Sequence, residues 1–186
     1  MKSISITWWL ASIWLGSMIL AAAPARVGVF NIDASPPIGS PLAYVPTKGI
    51  DHPLRCTGVV IVGIGKPIVL CAVDWIGISN DGQADFKTAL SKAAGTEPRR
   101  VTVHTLHQHD APRCDFSAEE VLNKVGLRGV GFNSAHARQV IEHTAAAVKK
   151  ALAEAKPVTH LGLGRGLVEK VASNRRILGA DGKVEY

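Results

Sequence analysis

Cys56-Thr-Gly-Val-Val-Ile-Val-Gly-Ile64 and Pro67-Ile-Val-Leu-Cys-Ala-Val-Asp-Trp75 are two apolar runs rich in β-branched residues, parted by Gly65-Lys66. Runs of that length around a Gly-containing break read as a β-hairpin. Their apolarity is nearly continuous rather than alternating, which predicts a sheet covered on both faces. With Gly65-Lys66 as a two-residue tip, position 71 faces position 60. Cys56 then lies four residues further along its strand, about 13 Å away, too far to bridge Cys71.

On either side of the hairpin the pattern alternates between strand and helix. Arg26 to Asp33 reads as a strand. Ser35-Pro36-Pro37-Ile38-Gly39-Ser40-Pro41 is a loop, because three prolines fix φ and remove donors. Asn80-Asp81 can cap a helix to about Ala94, whose stripe is Ala84, Phe86, Ala89, Leu90 and Ala93, with Gly95 ending it. Arg99 to Leu106 is a strand with Val101 and Val103 on one face. Ser117-Ala-Glu-Glu has the form of a capping box opening a short helix. Asn133 or Ser134 opens a longer helix to about Ala155, stopped by Pro157. Val158 to Ala172 reads as a glycine-rich strand, and Lys183 to Tyr186 as the start of another. This order predicts an α/β (α+β) fold: mixed β-sheets with helices packed on the outer faces.

The chain has 186 residues, 47% hydrophobic and 19% charged, which excludes a disordered chain. Lys2 is the only charge before Arg26, and Ala23-Pro24-Ala25 has the A-x-A form of a signal-peptide exit. Residues 1–25 therefore read as a signal peptide cut before Arg26, with a membrane anchor as the uncleaved alternative. Either reading exports residues 26–186, so the chain is expected to be secreted or periplasmic. Loss of Lys2 takes the formal charge from +6 to +5. The basic residues occur as scattered pairs with no aromatic interleaving, so nucleic acid is not an expected partner. The mild positive charge suits an anionic membrane surface as a partner. An odd count of three Cys leaves at least one unpaired within the chain.

The chemistry concentrates in His104-Thr-Leu-His107-Gln-His109-Asp110-Ala-Pro112. In extended backbone His107 and His109 point to one side and His104 to the other. The pair can meet one ligand or metal, and Asp110 can orient an imidazole. Two His from one strand end form half of a zinc site, which needs a third protein ligand. The alternative is a satisfied polar strand end. Asp74 is either a turn acceptor or a site-facing carboxylate. Gly162-x-Gly164-x-Gly166 lacks the remainder of a phosphate-binding motif. His52, His136, His143 and His160 show no partner spacing and read as structural.

Residues 26–186 resemble the N-terminal catalytic domain of the neutral/alkaline non-lysosomal ceramidases. The likeness rests on Val27-Gly-Val-Phe-Asn-Ile-Asp33 with its Pro-Pro-Ile-Gly loop, Val69-Leu-Cys-Ala-Val-Asp74, Leu106-His-Gln-His-Asp-Ala-Pro112 and Ser173-Asn-Arg175. Asp110-Ala111 and Arg176 stand where that family has Ser-Gly and Ser. The resemblance implies a Zn2+-dependent hydrolysis of the amide of N-acylsphingosine, with His107 as a zinc ligand. It implies His109 beside the substrate, and Arg175 lining the substrate site. It also implies further ligands beyond residue 186, so that residues 26–186 are the incomplete front of a larger domain and are inactive alone. Two other readings stand beside it. One is an exported, non-catalytic domain with a structural His cluster. The other is a zinc hydrolase of a different amide or ester.

Overall fold

The structure is a computed structural model that describes residues 24–63, 65–169 and 176–185. Most of the expected signal peptide, and Arg175, lie outside the described residues. Among these residues no helix is long and apolar enough to cross a membrane.

Strand β1 (Arg26–Asp33) has the predicted span and pairs antiparallel with β2 (Arg55–Val62) along its whole length. The predicted hairpin is present: β2 pairs antiparallel with β3 (Ile68–Val73). The helix α1 (Asn80–Ala94) then crosses over to β5 (Val101–Thr105), which lies parallel to β3. A parallel neighbour requires such a crossover. With β7 (Lys156–Pro157) on the far edge of β1, the main sheet has the order β5-β3-β2-β1-β7. Two short strands, β4 (Gly77–Ile78) and β6 (Arg113–Cys114), form a separate parallel pair. Near the C-terminus β8 (Ile177–Leu178) and β9 (Val184–Glu185) close a small antiparallel hairpin. The expected mixed α+β architecture is thus the one observed.

The register of the hairpin differs from the expected one. Its innermost pair is Ile61↔Ile68, so the turn is wider than Gly65-Lys66. Pro67 has no N–H to give to the ladder and so cannot pair tightly beside the turn. Cys71 consequently faces Gly58 rather than Val60, and Cys56 faces Val73. The two sulfurs lie 3.4 Å apart, which corrects the separation inferred from a two-residue tip.

Helices α1 and α3 (Ser134–Ala153) cover one face of the sheet. The core beneath them joins Phe30, Val60, Val69, Trp75, Phe86, Leu90, Val140 and Val148. Gly28 makes that packing possible: a Cβ there would collide with the backbone carbonyl of Ala151 at the end of α3. On the opposite face Val29, Ile68 and Leu70 are exposed. The expectation of two covered faces therefore holds for one face among the described residues.

Gly95 ends α1 in the left-handed conformation, as expected, with φ 63°. The start of α1 differs. Ser79 holds the cap position without a side-chain bond, and Asn80 turns its amide to Asp115 at 2.7 Å. Helix α2 (Phe116–Lys124) is capped by Asp115, whose Oδ1 accepts the N–H of Ala118 at 3.0 Å. Ser117 thus lies inside the helix instead of capping it. Asn133 caps α3 through the N–H of His136. Residues 158–169 are exposed and irregular rather than a strand; past the Val158 N–H, which bonds Ala25 O at 2.7 Å, they have no ladder partner among the described residues.

Candidate functional site

The His segment is a bulge created by unequal connections. Residues 74–76 link β3 to β4, whereas residues 106–112 link β5 to β6. Because both strand pairs are parallel, three residues run beside seven, and the extra ones must loop out. Backbone bonds hold the loop to its shorter neighbour: Leu106 N–H to Val73 O at 3.2 Å, His107 N–H to Trp75 O at 3.2 Å, and Ile76 N–H to Pro112 O at 3.1 Å. Gln108 adds a side-chain bond to Asp74 O at 3.2 Å.

His107 does not continue the strand. Its φ is +59°, a left-handed conformation uncommon for a residue with a Cβ. The expected alternation of extended backbone is therefore absent. The turn nonetheless brings the rings of His107 and His109 together, with centroids 5.3 Å apart and planes at 76°. His104 remains on β5, on its exposed face.

Each ring is held by Nδ1. His107 Nδ1 lies 2.9 Å from the carbonyl oxygen of Ile76. A carbonyl only accepts, so Nδ1 carries the proton and Nε2 keeps its lone pair in the neutral ring. His109 Nδ1 lies 3.1 Å from the hydroxyl of Tyr44, which can donate or accept. The two rings stack edge to face, with centroids 5.4 Å apart. Asp110 orients neither imidazole, which corrects the role expected for it: a carbonyl and a phenol occupy those positions. Tyr44 was not singled out in the sequence, because its contact crosses 65 residues of chain.

Asp74 is an acceptor across the β2–β3 pair and also faces a cavity, so neither expected role excludes the other. Its Oδ2 takes the N–H of Arg55 at 2.8 Å, while its own N–H bonds Arg55 O at 2.9 Å. The cavity that it borders has a volume of about 710 Å3. The connection from β1 to β2 walls this cavity with Pro36, Leu42, Val45 and Leu54, and the His loop contributes Leu106, Gln108 and Asp110. The two imidazoles sit on the odd-numbered positions of the same loop, beside this space rather than within its wall.

The donor set suits a metal in part. Two imidazoles, one with its ligating nitrogen fixed by tautomer, are suitable zinc donors. Among the described residues no group of three or more His, Cys, Asp and Glu converges on one point. The pair therefore fits as part of a zinc site and not as a whole one.

A mixed sheet, a helical cover and a two-His bulge at the end of a parallel pair define the class of this fold. No family model matches the chain, and no curated protein matches it. Among solved structures the fold is similar to the neutral ceramidase from Pseudomonas aeruginosa, with a TM-score of 0.52 and 20% identity. It is also similar to a ceramidase complexed with C2, with a TM-score of 0.51 and 18% identity. Each match covers 72% of this chain and 22% of the other, so the chain spans about a fifth of the length of these structures. The resemblance expected from the sequence is thereby borne out at the level of the fold.

Proposed function

We propose that this chain is the N-terminal part of an exported, zinc-dependent amide hydrolase resembling the neutral ceramidases. Its substrate in this reading is N-acylsphingosine or a related lipid amide. The observation that carries the reading is the His107–His109 pair, each ring held through Nδ1. The fold likeness to ceramidase structures supports it.

In this reading His107 Nε2 is the zinc ligand and the Ile76 carbonyl fixes its tautomer. Zinc, when bound, supplies Lewis acidity toward the amide carbonyl and an activated water. His109 stands beside the substrate and holds or releases a proton at Nε2, in balance with the Tyr44 hydroxyl at Nδ1. Arg175 lines the substrate site as a cation for an oxygen-rich group. The cavity has the size of a small-molecule site; the apolar part of its wall suits an alkyl chain, and Lys48, Asp51, Asp74 and Asp110 line it with charge. The remaining ligands come from segments beyond residue 186. Export through the N-terminal signal places the enzyme outside the cytoplasm, against a membrane surface that presents the lipid.

The test is zinc content by elemental analysis after dialysis. In the complete protein His107→Ala is expected to abolish zinc retention. His109→Ala is expected to retain zinc and lose turnover of a fluorescent N-acylsphingosine. Full zinc content in His107→Ala would overturn the assignment, and zinc loss in His109→Ala would make that residue a ligand. The 186-residue chain alone is expected to bind zinc weakly and hydrolyse no amide; robust hydrolysis by it would overturn the need for further ligands.

A further inference from the structure

We propose that Cys56 and Cys71 are a disulfide-forming pair, a covalent staple between β2 and β3. This inference stands apart from the hydrolase reading and rests on the core of the sheet.

The chain has three Cys, and two of them are in contact although 15 residues separate them. Their sulfurs lie 3.4 Å apart and both side chains are fully buried. A disulfide holds its sulfurs about 2.05 Å apart, so closure requires a movement of about 1.4 Å. The pair is diagonal across the ladder, since Cys56 faces Val73 and Cys71 faces Gly58. Diagonal Cα atoms in a regular ladder stand about 7–8 Å apart, slightly beyond the usual span of a bridge. The Sγ atoms nonetheless meet at 3.4 Å across this diagonal. Gly58 stands opposite Cys71, and a Cβ there would collide with the Leu70 carbonyl and the Phe30 ring, so a side chain at this position would displace the groups around the pair.

The third thiol is placed apart. Cys114 lies in β6 and packs against Gly82 of α1. Thr144 of α3 closes over the pair, with its hydroxyl 3.3 Å from Cys56 Sγ and bonded to Val140 O at 2.6 Å. The covered sulfurs are out of reach of oxidants once α3 has docked, so the bond forms as the hairpin closes. Two thiols lose two protons and two electrons; a small-molecule disulfide such as oxidised glutathione takes them up and leaves as two thiols. The staple lies two residues before Val73, where β3 begins to supply the carbonyls that hold the His loop.

The experiment is refolding of the full chain in a glutathione buffer of oxidising poise. The chain is then alkylated with iodoacetamide in denaturant and its intact mass measured. The expected result is one adduct per chain, a mass two hydrogens lower, and a Cys56–Cys71 link in the peptide map. Cys114→Ser is expected to keep the link and take no adduct. Cys56→Ser is expected to take two adducts. Three adducts on the unsubstituted chain, or a link that includes Cys114, would overturn the proposal.

Discussion

His136 shows how burial sets the behaviour of a single side chain. Its ring lies 6.3 Å from that of Trp75, and Nε2 stands 3.4 Å from Ala34 O. Burial lowers its pKa from the ordinary 6.5, against the raising pull of the Ala34 carbonyl and Asp33; His143 adds to the lowering. The folded state therefore binds this proton less readily than the unfolded state. Its contribution to stability is complete above pH 6.5 and is lost as pH falls below that value. The urea midpoint should drop between pH 7 and pH 5, and His136→Gln should flatten part of that drop. Identical pH profiles for the two proteins would remove His136 from the account. The residue scale also divides what was legible in the sequence. The His107–His109 juxtaposition was expected from extended backbone, which the structure does not show; the rings meet instead through the left-handed turn at His107. The partners of the two rings were not legible, since Tyr44 and Ile76 reach them across 65 and 31 positions. The Cys pair was misplaced for the same reason: its separation depends on the register of a turn whose width Pro67 alters.

At the scale of the element, local pattern predicted existence better than ends. Strand β1 and helix α3 were readable from their apolar periodicity, and the buried face of α3 includes Val140, Ile141, Thr144 and Val148. Caps are a finer matter, because several oxygen-bearing side chains compete near one helix start. At α2 the local pattern pointed to Ser117, whereas the structure gives the cap to Asp115, two residues earlier. A carboxylate at that position also meets the positive end of the helix dipole. Asp115→Ala should therefore cost about 1 kcal/mol through the cap, with a further loss from its bond to Asn80. Ser117→Ala should change stability by less than about 0.5 kcal/mol. Urea unfolding of the two variants decides between them; a larger cost for Ser117→Ala would take the main cap away from Asp115 or give weight to the long Asp81 N–H bond to Ser117 Oγ at 3.4 Å. The strand expected at 158–172 failed for a reason that no local pattern contains. A strand exists only with a ladder partner; the Val158 N–H still bonds Ala25 O at 2.7 Å, and residues 159–169 have no such partner among the described residues.

At the scale of the whole molecule the main sheet presents two unequal faces. Val60 on β2 points under the helices and is 0% exposed, whereas Val29 on β1 points the other way and is 74% exposed. Both runs of the hairpin are apolar on both sides, so the sequence is suited to two covers while the described residues supply one. The same side chain on the same sheet then tests which faces are closed. Truncating Val60 to Ala removes about 1.6 kcal/mol of transfer free energy at about 0.8 kcal/mol per methylene-sized group. The cavity left under α3 adds to that, so Val60→Ala should cost about 2 kcal/mol or more. Val29→Ala removes atoms that water already reaches and should stay within about 0.5 kcal/mol. Both costs are read from urea unfolding of the 186-residue chain. Near-equal costs would mean that the Val29 face is covered in solution, by another part of the chain or by a second copy. A dependence of the Val29→Ala cost on protein concentration would then point to the second copy, since only association makes apparent stability depend on concentration.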